Sequence, residues 1–256
     1  MIWLDEGGQQ RDLRLIVSPP PLRDVVEHFW IQETMPKHIW RIVPDVSGHV
    51  IFSITSRPSG VAADCCVVGA RSEFFDLDVT GRTVTIGVRL RPGTLPLLVR
   101  DSAAQFTDRS IPFDQIFGGG GSSLVDLMAE RAPLEAVKLL AQFLSQRFDF
   151  AAAPVASALL PGATSVTDLA DAICASRRSI YNWLSATVGL SPKRALRIQR
   201  LHEALKYLNN SGSLADAAAG AGYSDQAHFT REAVSLLGEA PGAWRSRGLL
   251  IRSRQE

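Results

Sequence analysis

Basic side chains are crowded into one short stretch of the C-terminal half, and their types and spacing point to phosphate chemistry. Within 24 positions lie Arg177, Arg178, Lys193, Arg194, Arg197 and Arg200. Guanidinium and ammonium groups neutralise phosphates, and arginine also hydrogen-bonds to base edges. The formal charge agrees: residues 1–155 carry 15 Lys and Arg against 18 Asp and Glu (net −3), whereas residues 156–256 carry 12 against 8 (net +4). The pattern favours a C-terminal half that binds nucleic acid.

Histidines and cysteines, the usual ligands of catalytic metals, form no comparable cluster. His28, His38 and His49 stand apart in the sequence, whereas a three-ligand metal site needs converging imidazole or carboxylate groups. Cys65 and Cys66 are adjacent in an apolar run, and neighbouring strand residues point to opposite faces, so we interpret both as core residues. We expect no metal, no cofactor and no enzymatic activity.

The composition is that of an ordinary globular protein. At 256 residues, with 46% hydrophobic and 21% charged residues, the chain is long enough for two domains. Its start is acidic and lacks the basic segment and apolar run of a signal peptide. No apolar stretch approaches the ~18 residues that suggest a membrane span. We expect a cytoplasmic protein with no membrane partner.

Short strands punctuated by Pro and Gly are predicted in the N-terminal half. The candidate strands are 38–43, 49–54, 65–70, 74–79 and 82–93. In the last of these, Ile86, Val88 and Leu90 alternate with polar residues, which is typical of a half-buried strand. Many short strands with frequent turns indicate a small barrel or sandwich.

An amphipathic helix is predicted over 133–148, after a loop at Gly118–Gly121. Its apolar residues recur at spacings of three and four, and Leu140 and Leu144 continue the stripe. The stripe could pack on the barrel or on the same helix of a second subunit, which would make a homodimer. Both explanations remain open.

The domain boundary is predicted near 150–155, because the chain from Pro154 onward reads as short helices separated by turns. We therefore divide it into an N-terminal domain, 1–153, and a C-terminal domain, 154–256. The C-terminal domain contains an internal repeat at an offset of 48 positions upstream and 49 downstream. The matching pairs are Val166 and Leu214, Asp168 and Asp216, Ala170 and Ala218, Ser176 and Asp225, Ile180 and Phe229, Val188 and Leu237, Gly189 and Gly238, and Pro192 and Pro241.

Each copy of the repeat has the parts of a DNA-reading helix pair. A short helix, at about 166–173 and again at 214–221, is followed by a turn and by an N-cap residue, Ser176 or Asp225, that opens a second helix. The second helix has an apolar inner face and a polar or basic outer face. The outer residues are Arg178, Tyr181 and Asn182 in the first copy and Ala227, Thr230 and Arg231 in the second. Such a face suits a major groove.

These segments resemble the tandem helix-turn-helix domain of AraC/XylS-family transcriptional regulators. The second motif is carried by GYSDQAHFTRE (222–232) and LGEAP (237–241), and the first by SVTDLADAICASRRSIYNWL (165–184) and VGLSPK (188–193). In that family the two recognition helices lie at opposite ends of a linking helix, here 194–208, and enter successive major grooves. The resemblance implies a sequence-specific DNA-binding regulator.

The resemblance also implies which residues touch DNA. The base-reading candidates are Arg178, Tyr181, Asn182, Gln226 and Arg231, and the phosphate candidates are Arg177, Lys193 and Thr230. The alternative for each is a solvated helix face. Three residues depart from the family pattern: Cys174 replaces a turn glycine, Asn182 an arginine and Ala233 a bulky aromatic. The departures bear on how strongly each half binds and not on the fold.

The N-terminal half is similar to the cupin-like sensor domain of a branch of this family, through residues 26–33, 41–54 and 87–93. The resemblance implies an α+β two-domain protein: a cupin-like β-barrel with helices, then an all-α tandem helix-turn-helix domain. It also implies an effector site in the barrel. The effector-binding candidates are Trp30, Trp40, His49 and Arg89, a mixture that could hold an anionic or aromatic small molecule. The alternative is that the tryptophans are core residues and the arginine a surface residue.

Three functions follow as hypotheses. The leading one is a transcriptional regulator that is controlled by a small-molecule effector, binds double-stranded operator DNA as a homodimer, and contacts RNA polymerase if it is an activator. The second is a ligand-independent dimeric repressor or architectural DNA-binding protein. The third is a cupin-type enzyme tethered by the helical domain, which the scattered histidines disfavour.

Overall fold

The structure, a computed structural model, describes residues 3–5, 13–36, 38–150, 163–211 and 213–246. Strands and short helices occupy the part up to residue 150, and helices alone occupy the part from residue 163 onward. The predicted domain boundary at 153/154 lies outside the described residues. No helix in these ranges is both long enough and apolar enough to cross a membrane.

Two antiparallel sheets form the N-terminal domain. The described strands are β1 (Trp3–Asp5), β2 (Arg14–Val17), β3 (Val26–Thr34), β4 (His38–Ile42), β5 (His49–Arg57), β6 (Gly60–Val68), β7 (Phe75–Val79), β8 (Arg82–Leu90) and β9 (Ser110–Pro112). The smaller sheet has the order β1-β4-β7 and the larger one β2-β3-β8-β5-β6-β9. After β2 the chain crosses from the larger sheet to the smaller one and back at β4, and does so again at β7, as expected for a small barrel or sandwich of short strands.

The central strand β8 is covered on both faces. Val88 lies between Phe29 of β3 and Val50 of β5 in the sheet register, and all three are fully buried in a core shared with the helices. The polar face is covered too: Thr83 is buried, and Arg89 donates hydrogen bonds to a buried aspartate. The strand is therefore more buried than predicted, because Thr83 is buried and Arg89 pairs with a buried carboxylate, while Thr85 and Arg89 stay part-exposed.

The helices of the N-terminal domain are α1 (Leu95–Val99), α2 (Phe113–Phe117), α3 (Gly119–Ala129) and α4 (Pro133–Ser145), with 3₁₀ turns at Pro20–Leu22 and Ala103–Phe106. The glycine run predicted to be a loop instead opens α3. Only Gly118 needs glycine's conformational freedom, with φ 60°. Gly121 is buried, and a Cβ there would lie 3.1 Å from the Phe113 ring. The prediction was wrong because close packing accounts for part of the run.

The helix predicted at 133–148 is α4, and its apolar stripe packs on its own domain. Leu140 and Leu144 are fully buried in the core that contains Phe29 and Val88. Of the two explanations for the stripe, the structure supports packing on the barrel. The homodimer stays a prediction that this stripe no longer supports.

Helices alone make up the described part of the C-terminal domain: α5 (Val166–Ala172), α6 (Arg177–Thr187), α7 (Pro192–Ser211), α8 (Leu214–Gly220), α9 (Gln226–Leu237) and α10 (Pro241–Ser246). The predicted linking helix is α7, and its residues Ile198, Leu201 and Leu205 are fully buried. The other helices pack around it, so each helix pair is anchored on this one long element.

Candidate nucleic-acid interface

The internal repeat is visible in the hydrogen bonds that begin its helices. Ser165 and Ser213, 48 positions apart, cap α5 and α8, since each hydroxyl accepts from the backbone N–H three residues later. Ser176 and Asp225 cap α6 and α9 in the same way. Such caps satisfy N–H groups that a helix leaves without an internal partner. The predicted N-caps are confirmed.

Carboxylates near these caps are held in the ionised form. Hydrogen bonds from Thr164 and Ser165 lower the pKa of Asp168 to about 2. The backbone N–H of His228 likewise lowers the pKa of Asp225. Negative charge at a helix N-terminus interacts favourably with the helix dipole. The carboxylates in the first turn of α5 and at the cap of α9 therefore stay ionised at neutral pH.

The turn inside each copy passes through a residue in the left-handed conformation. Cys174 has φ 51°, and its counterpart Gly222 has φ 76°. In both copies the next residue donates its N–H over 2.9 Å, to the carbonyl of Ala170 in the first and of Ala218 in the second. A side chain is strained in this region and glycine is not. Cys174 thus occupies a backbone conformation that glycine holds in the second copy.

The recognition helices α6 and α9 present the predicted base-reading residues to solvent. Their inner anchors, Ile180 and Phe229, are fully buried. The exposed residues on the outer faces are Arg178, Tyr181, Asn182, Gln226 and Arg231. Tyr181 is 55% exposed, so its ring and hydroxyl are accessible. The exposure meets the requirement for base contact, and the contacts themselves stay predictions.

The three phosphate candidates differ in their surroundings. Lys193 is exposed at the start of α7. Arg177 is also exposed, and its Nη2 donates to the hydroxyl of Thr167 at 3.0 Å. The hydroxyl of Thr230 donates to the carbonyl of Gln226 at 2.9 Å within its own helix. Lys193 and Arg177 therefore offer exposed positive charge, whereas the hydroxyl of Thr230 would have to turn away from Gln226 to donate to a phosphate.

Three of the six clustered basic residues form structural hydrogen bonds with residues distant in the sequence. Both Glu232 oxygens on α9 accept from Nε of Arg197 at 3.0 Å. Arg200 donates to the carbonyl of Thr164 at 3.2 Å, and Arg194 reaches into the N-terminal domain. These partners lie 35 or more positions away, so no local pattern separates structural arginines from phosphate-binding ones. Arg194, Arg197 and Arg200 therefore have structural partners, and the basic cluster as a whole does not mark phosphate contacts.

The four effector-binding candidates lie in the N-terminal domain. Trp30, His49 and Arg89 share one face of the larger sheet, and Trp40 belongs to the smaller sheet. Trp30 is 3% exposed and its indole lies on Gly87, where a Cβ would be 1.9 Å from the ring. Trp40 is also buried. The burial of both tryptophans fits the alternative in which they are core residues.

A buried ion cluster joins two of these candidates, and its centre, Asp45, was missed by the sequence analysis. The two terminal nitrogens of Arg89 donate to the two oxygens of Asp45 at 2.7 and 2.9 Å. Nε of Arg89 donates to Glu27 at 2.8 Å, and Nε2 of His49 lies 3.2 Å from Asp45. An aspartate between two strands reads as a turn residue, so the sequence carries no signal for this role.

Burial and pairing set the charges of the ion cluster. Burial alone would raise the pKa of Asp45, but the positive charge and hydrogen bonds around it, the guanidinium of Arg89 foremost, together hold that pKa well below its usual value. Burial lowers the pKa of His49 to about 3 and that of His28 to about 4. At neutral pH the cluster therefore holds an arginine cation between carboxylates, with neutral imidazoles beside it. Loss of one partner would leave a buried charge without compensation.

A cavity of about 590 Å³ lies elsewhere in the domain, between β2, β3 and the turn before α4. It is lined by Leu13, Arg14, Ile31, Glu33, Ala132, Pro133 and Leu134, and none of the effector candidates is among these residues. Its volume falls within the ~300–1,000 Å³ typical of small-molecule sites. Among the described side chains, no group of three or more His, Cys, Asp or Glu could hold a metal ion.

Two family models match separate parts of the chain. Residues 169–247 match a Helix-turn-helix domain. The C-terminal region is an AraC-type helix-turn-helix domain. Residues 15–112 match a Domain of unknown function (DUF6597). The helix-turn-helix domain thus includes both turns, both recognition helices and the linking helix, and the chain is a DNA-binding regulator.

Solved structures with a similar course of the chain have low sequence identity to it. The crystal structure of ToxT from Vibrio cholerae O395 aligns with a TM-score of 0.47 and 9% identity over 88% of this chain and 98% of that chain. Unsaturated fatty acid bound wild-type ToxT from Vibrio cholerae strain SCE256 aligns with a TM-score of 0.46 and 8% identity, over 89% and 97%. No curated protein matches the sequence.

Proposed function

We propose that this regulator reads two successive major grooves of operator DNA, one with each recognition helix. The placement of α6 and α9 carries the proposal, because two equivalent helices with exposed reading faces flank one linking helix. With 20 residues, α7 is ~30 Å long at about 1.5 Å per residue. One turn of B-DNA is about 34–36 Å. The length of α7 therefore suits two grooves on one side of the duplex.

Base reading is divided between the two helices. In the second half-site Arg231 donates two hydrogen bonds to a guanine and Gln226 pairs with an adenine, as the geometry of their side chains allows. In the first half-site Arg178, Tyr181 and Asn182 do the reading. The phosphates on either side are held by Arg177, Lys193 and Thr230. The exposure of the five reading residues and their positions on the recognition helices α6 and α9 support the assignment.

An effector would act on the linking helix through the loop between β4 and β5. A ligand that carries an anionic group would compete with Asp45 for Arg89. The backbone of Asp45 pairs with that of Arg71, and the carbonyl of the preceding Pro44 lies 2.8 Å from Nε2 of His202 on α7. A change at Asp45 therefore reaches the helix-turn-helix domain across one peptide unit, which supports control by a small anionic molecule.

Thermal unfolding with a panel of aliphatic and aromatic carboxylates tests the effector proposal. We expect a ligand to raise the melting temperature by binding the folded state, and Arg14→Gln to leave that rise unchanged. Loss of the rise in Arg14→Gln would place the ligand in the 590 Å³ cavity and contradict a site at Arg89. No rise with any carboxylate would favour the ligand-independent repressor.

We also infer a homodimer, which as an activator would contact RNA polymerase. Leu127 and Leu134 support it, because they lie on neighbouring helices and are 38% and 45% exposed. An apolar surface of this kind is a candidate subunit contact. Light scattering should give twice the chain mass, and Leu127→Ser with Leu134→Ser should give a monomer. A monomeric wild-type protein, with and without DNA, contradicts the inference.

Selection from a random pool of duplexes tests the DNA proposal. The full-length protein should enrich a sequence with two parts whose centres are about one helical turn apart. Arg178→Ala should lose preference within the first part and Arg231→Ala within the second. Enrichment of no sequence, or of one that neither substitution changes, contradicts the proposal.

A further inference from the structure

The helix-turn-helix domain touches the N-terminal domain at two points that are equivalent in its internal repeat. Gly189 and Gly238 lie 49 positions apart and follow the ends of α6 and α9. Both are left-handed, with φ 88° and 76°. Each recognition helix therefore presents the same backbone corner to the N-terminal domain. We call the contacts at these two corners the cap contacts.

The first cap contact is formed by the 3₁₀ turn Ala103–Phe106 and the residue after it. The hydroxyl of Thr107 donates to the carbonyl of Gly189 at 2.6 Å. A Cβ on Gly189 would lie 2.4 Å from that hydroxyl oxygen and 2.8 Å from the carbonyl oxygen of Ala103. The two domains can therefore approach this closely only if residue 189 is glycine. The carbonyl of Ala103 belongs to the backbone and cannot move away without its 3₁₀ turn.

The second cap contact is formed by Phe74, in the turn before β7. A Cβ on Gly238 would lie 2.5 Å from its ring, and the guanidinium of Arg41 lies 4.9 Å from the ring centre. The ring is thus held between the smaller sheet and the end of α9. The C-terminal ends of both recognition helices therefore contact turns of the N-terminal domain.

The linking helix is held between the two cap contacts. Arg194 donates to the carbonyl of Ser72, and His202 lies 2.8 Å from the carbonyl of Pro44. The N-terminal residues Val43, Val46 and Ala70 are buried in the same core as α7. The whole side of the domain that bears the caps and α7 is therefore docked, whereas the reading residues on the opposite faces are exposed.

We propose that the N-terminal domain sets the spacing between the two half-sites that this regulator accepts, by fixing both recognition helices at their caps. The proposal rests on DNA binding by α6 and α9. One added base pair moves a half-site by about 3.4 Å and turns it by about 34–36°. A helix pair joined only through α7 could follow such a change by tilting about its anchor. Tilting of a docked pair must first break a cap contact.

The test uses the bipartite duplex enriched from the random pool, with one or two base pairs added or removed between its halves. Wild-type affinity should fall roughly tenfold or more per step, as when one contacted base pair is lost. Gly189→Ala and Gly238→Ala should reduce the loss to about threefold or less. Gly222→Ala is the matched control, because Gly222 has the same φ as Gly238, 76°, and no atom within 4 Å of its added Cβ.

A double variant in the N-terminal domain covers the case in which the glycine variants fail to fold. Thr107→Ala with Phe74→Ala weakens both cap contacts from the N-terminal side and leaves the helix-turn-helix backbone unchanged. It should relax the spacing preference and keep the preference for each half-site. Strict spacing in this double variant overturns the proposal, and so does a wild-type protein that binds DNA but tolerates every spacing. A wild-type protein that binds no duplex also overturns the proposed function.

Discussion

Cys174 holds a left-handed turn with a side chain that this conformation disfavours. With φ 51° and an exposed side chain, Cys174→Gly should raise the free energy of unfolding by up to about 1 kcal/mol. Urea unfolding monitored by circular dichroism measures the change. Cys174→Ala keeps the Cβ and should gain nothing. An equal gain in both variants would show that the thiol, and not the backbone, is the source.

Substitutions of Arg231 and Lys193 should distinguish base recognition from phosphate binding. Arg231→Ala should cost about 1–3 kcal/mol of affinity for the selected duplex and relax the preference at one base pair. Lys193→Ala should weaken binding to selected and scrambled duplexes alike and lower the salt slope by about one. Titrations of both duplexes at several salt concentrations check this. Equal losses on both duplexes for Arg231→Ala would make Arg231 a backbone contact.

Exposed reading residues are predictable from sequence because they obey helical periodicity. Tyr181 and Arg231 follow from the apolar anchors on the opposite face, and these faces are confirmed as exposed. Asp45 is different: its partner Arg89 is 44 positions away, and neither residue lies in a periodic pattern that links the two. Pairing across sheets depends on the fold, which is why sequence patterns miss the ion cluster.

At the scale of elements, α7 carries a titratable group into the contact between domains. Burial lowers the pKa of His202 to about 4, so its neutral form is favoured in the folded state and the unfolded state binds the proton more readily. Its contribution to stability is complete above pH ~6.5 and is lost as the pH falls toward 4. Unfolding free energies should therefore decline across this range.

Substitution of His202 isolates its part of that decline. His202→Gln removes the titration and keeps an N–H donor for Pro44, so the loss of stability between pH 6.5 and 4 should become shallower. His202→Leu removes both the titration and the donor. It should be less stable than His202→Gln at every pH, because the carbonyl of Pro44 stays buried without a donor. An unchanged slope in His202→Gln would show that His49 and His28 account for the pH dependence.

The helix α4 belongs to the barrel core, and its two faces should respond differently to truncation. Leu140 is fully buried, so Leu140→Ala should cost about 2–5 kcal/mol. Leu134 lies on the same helix and is 45% exposed within one subunit, so Leu134→Ala should cost within about 0.5 kcal/mol at protein concentrations low enough to give the monomer. Urea midpoints of the two variants give the comparison. Similar costs at such concentrations would contradict a peripheral position for Leu134 in the subunit.

At the scale of the whole molecule, the helix-turn-helix domain should fold alone and lose its spacing preference. A fragment of residues 155–256 retains α7 and both copies of the repeat, but it exposes the apolar surface that Val43, Val46 and Ala70 cover. We expect a fragment with near-ultraviolet circular dichroism and specific DNA binding. A molten or insoluble fragment would show that the N-terminal contacts are needed for folding.

Domain classes were predictable from patterning, and the contact between the domains was not. The alternation in β8 and the repeat in the C-terminal half each reflect how one element packs within its own domain. The docking surfaces consist of turns, such as those at Phe74 and Thr107, whose residues obey no period. Patterns within the sequence therefore indicate the class of each half but carry no signal for the surface between them.

The dual use of the loop between β4 and β5 limits how this protein can be recombined. Pro44 meets the linking helix while the next residue centres the ion cluster of the barrel. A chimera that joins this helix-turn-helix domain to another sensor would inherit a surface shaped for residues 43–46, 70–74 and 102–107. Exchange at the linker alone should yield a poorly coupled protein, and grafting those three turns as well should restore coupling.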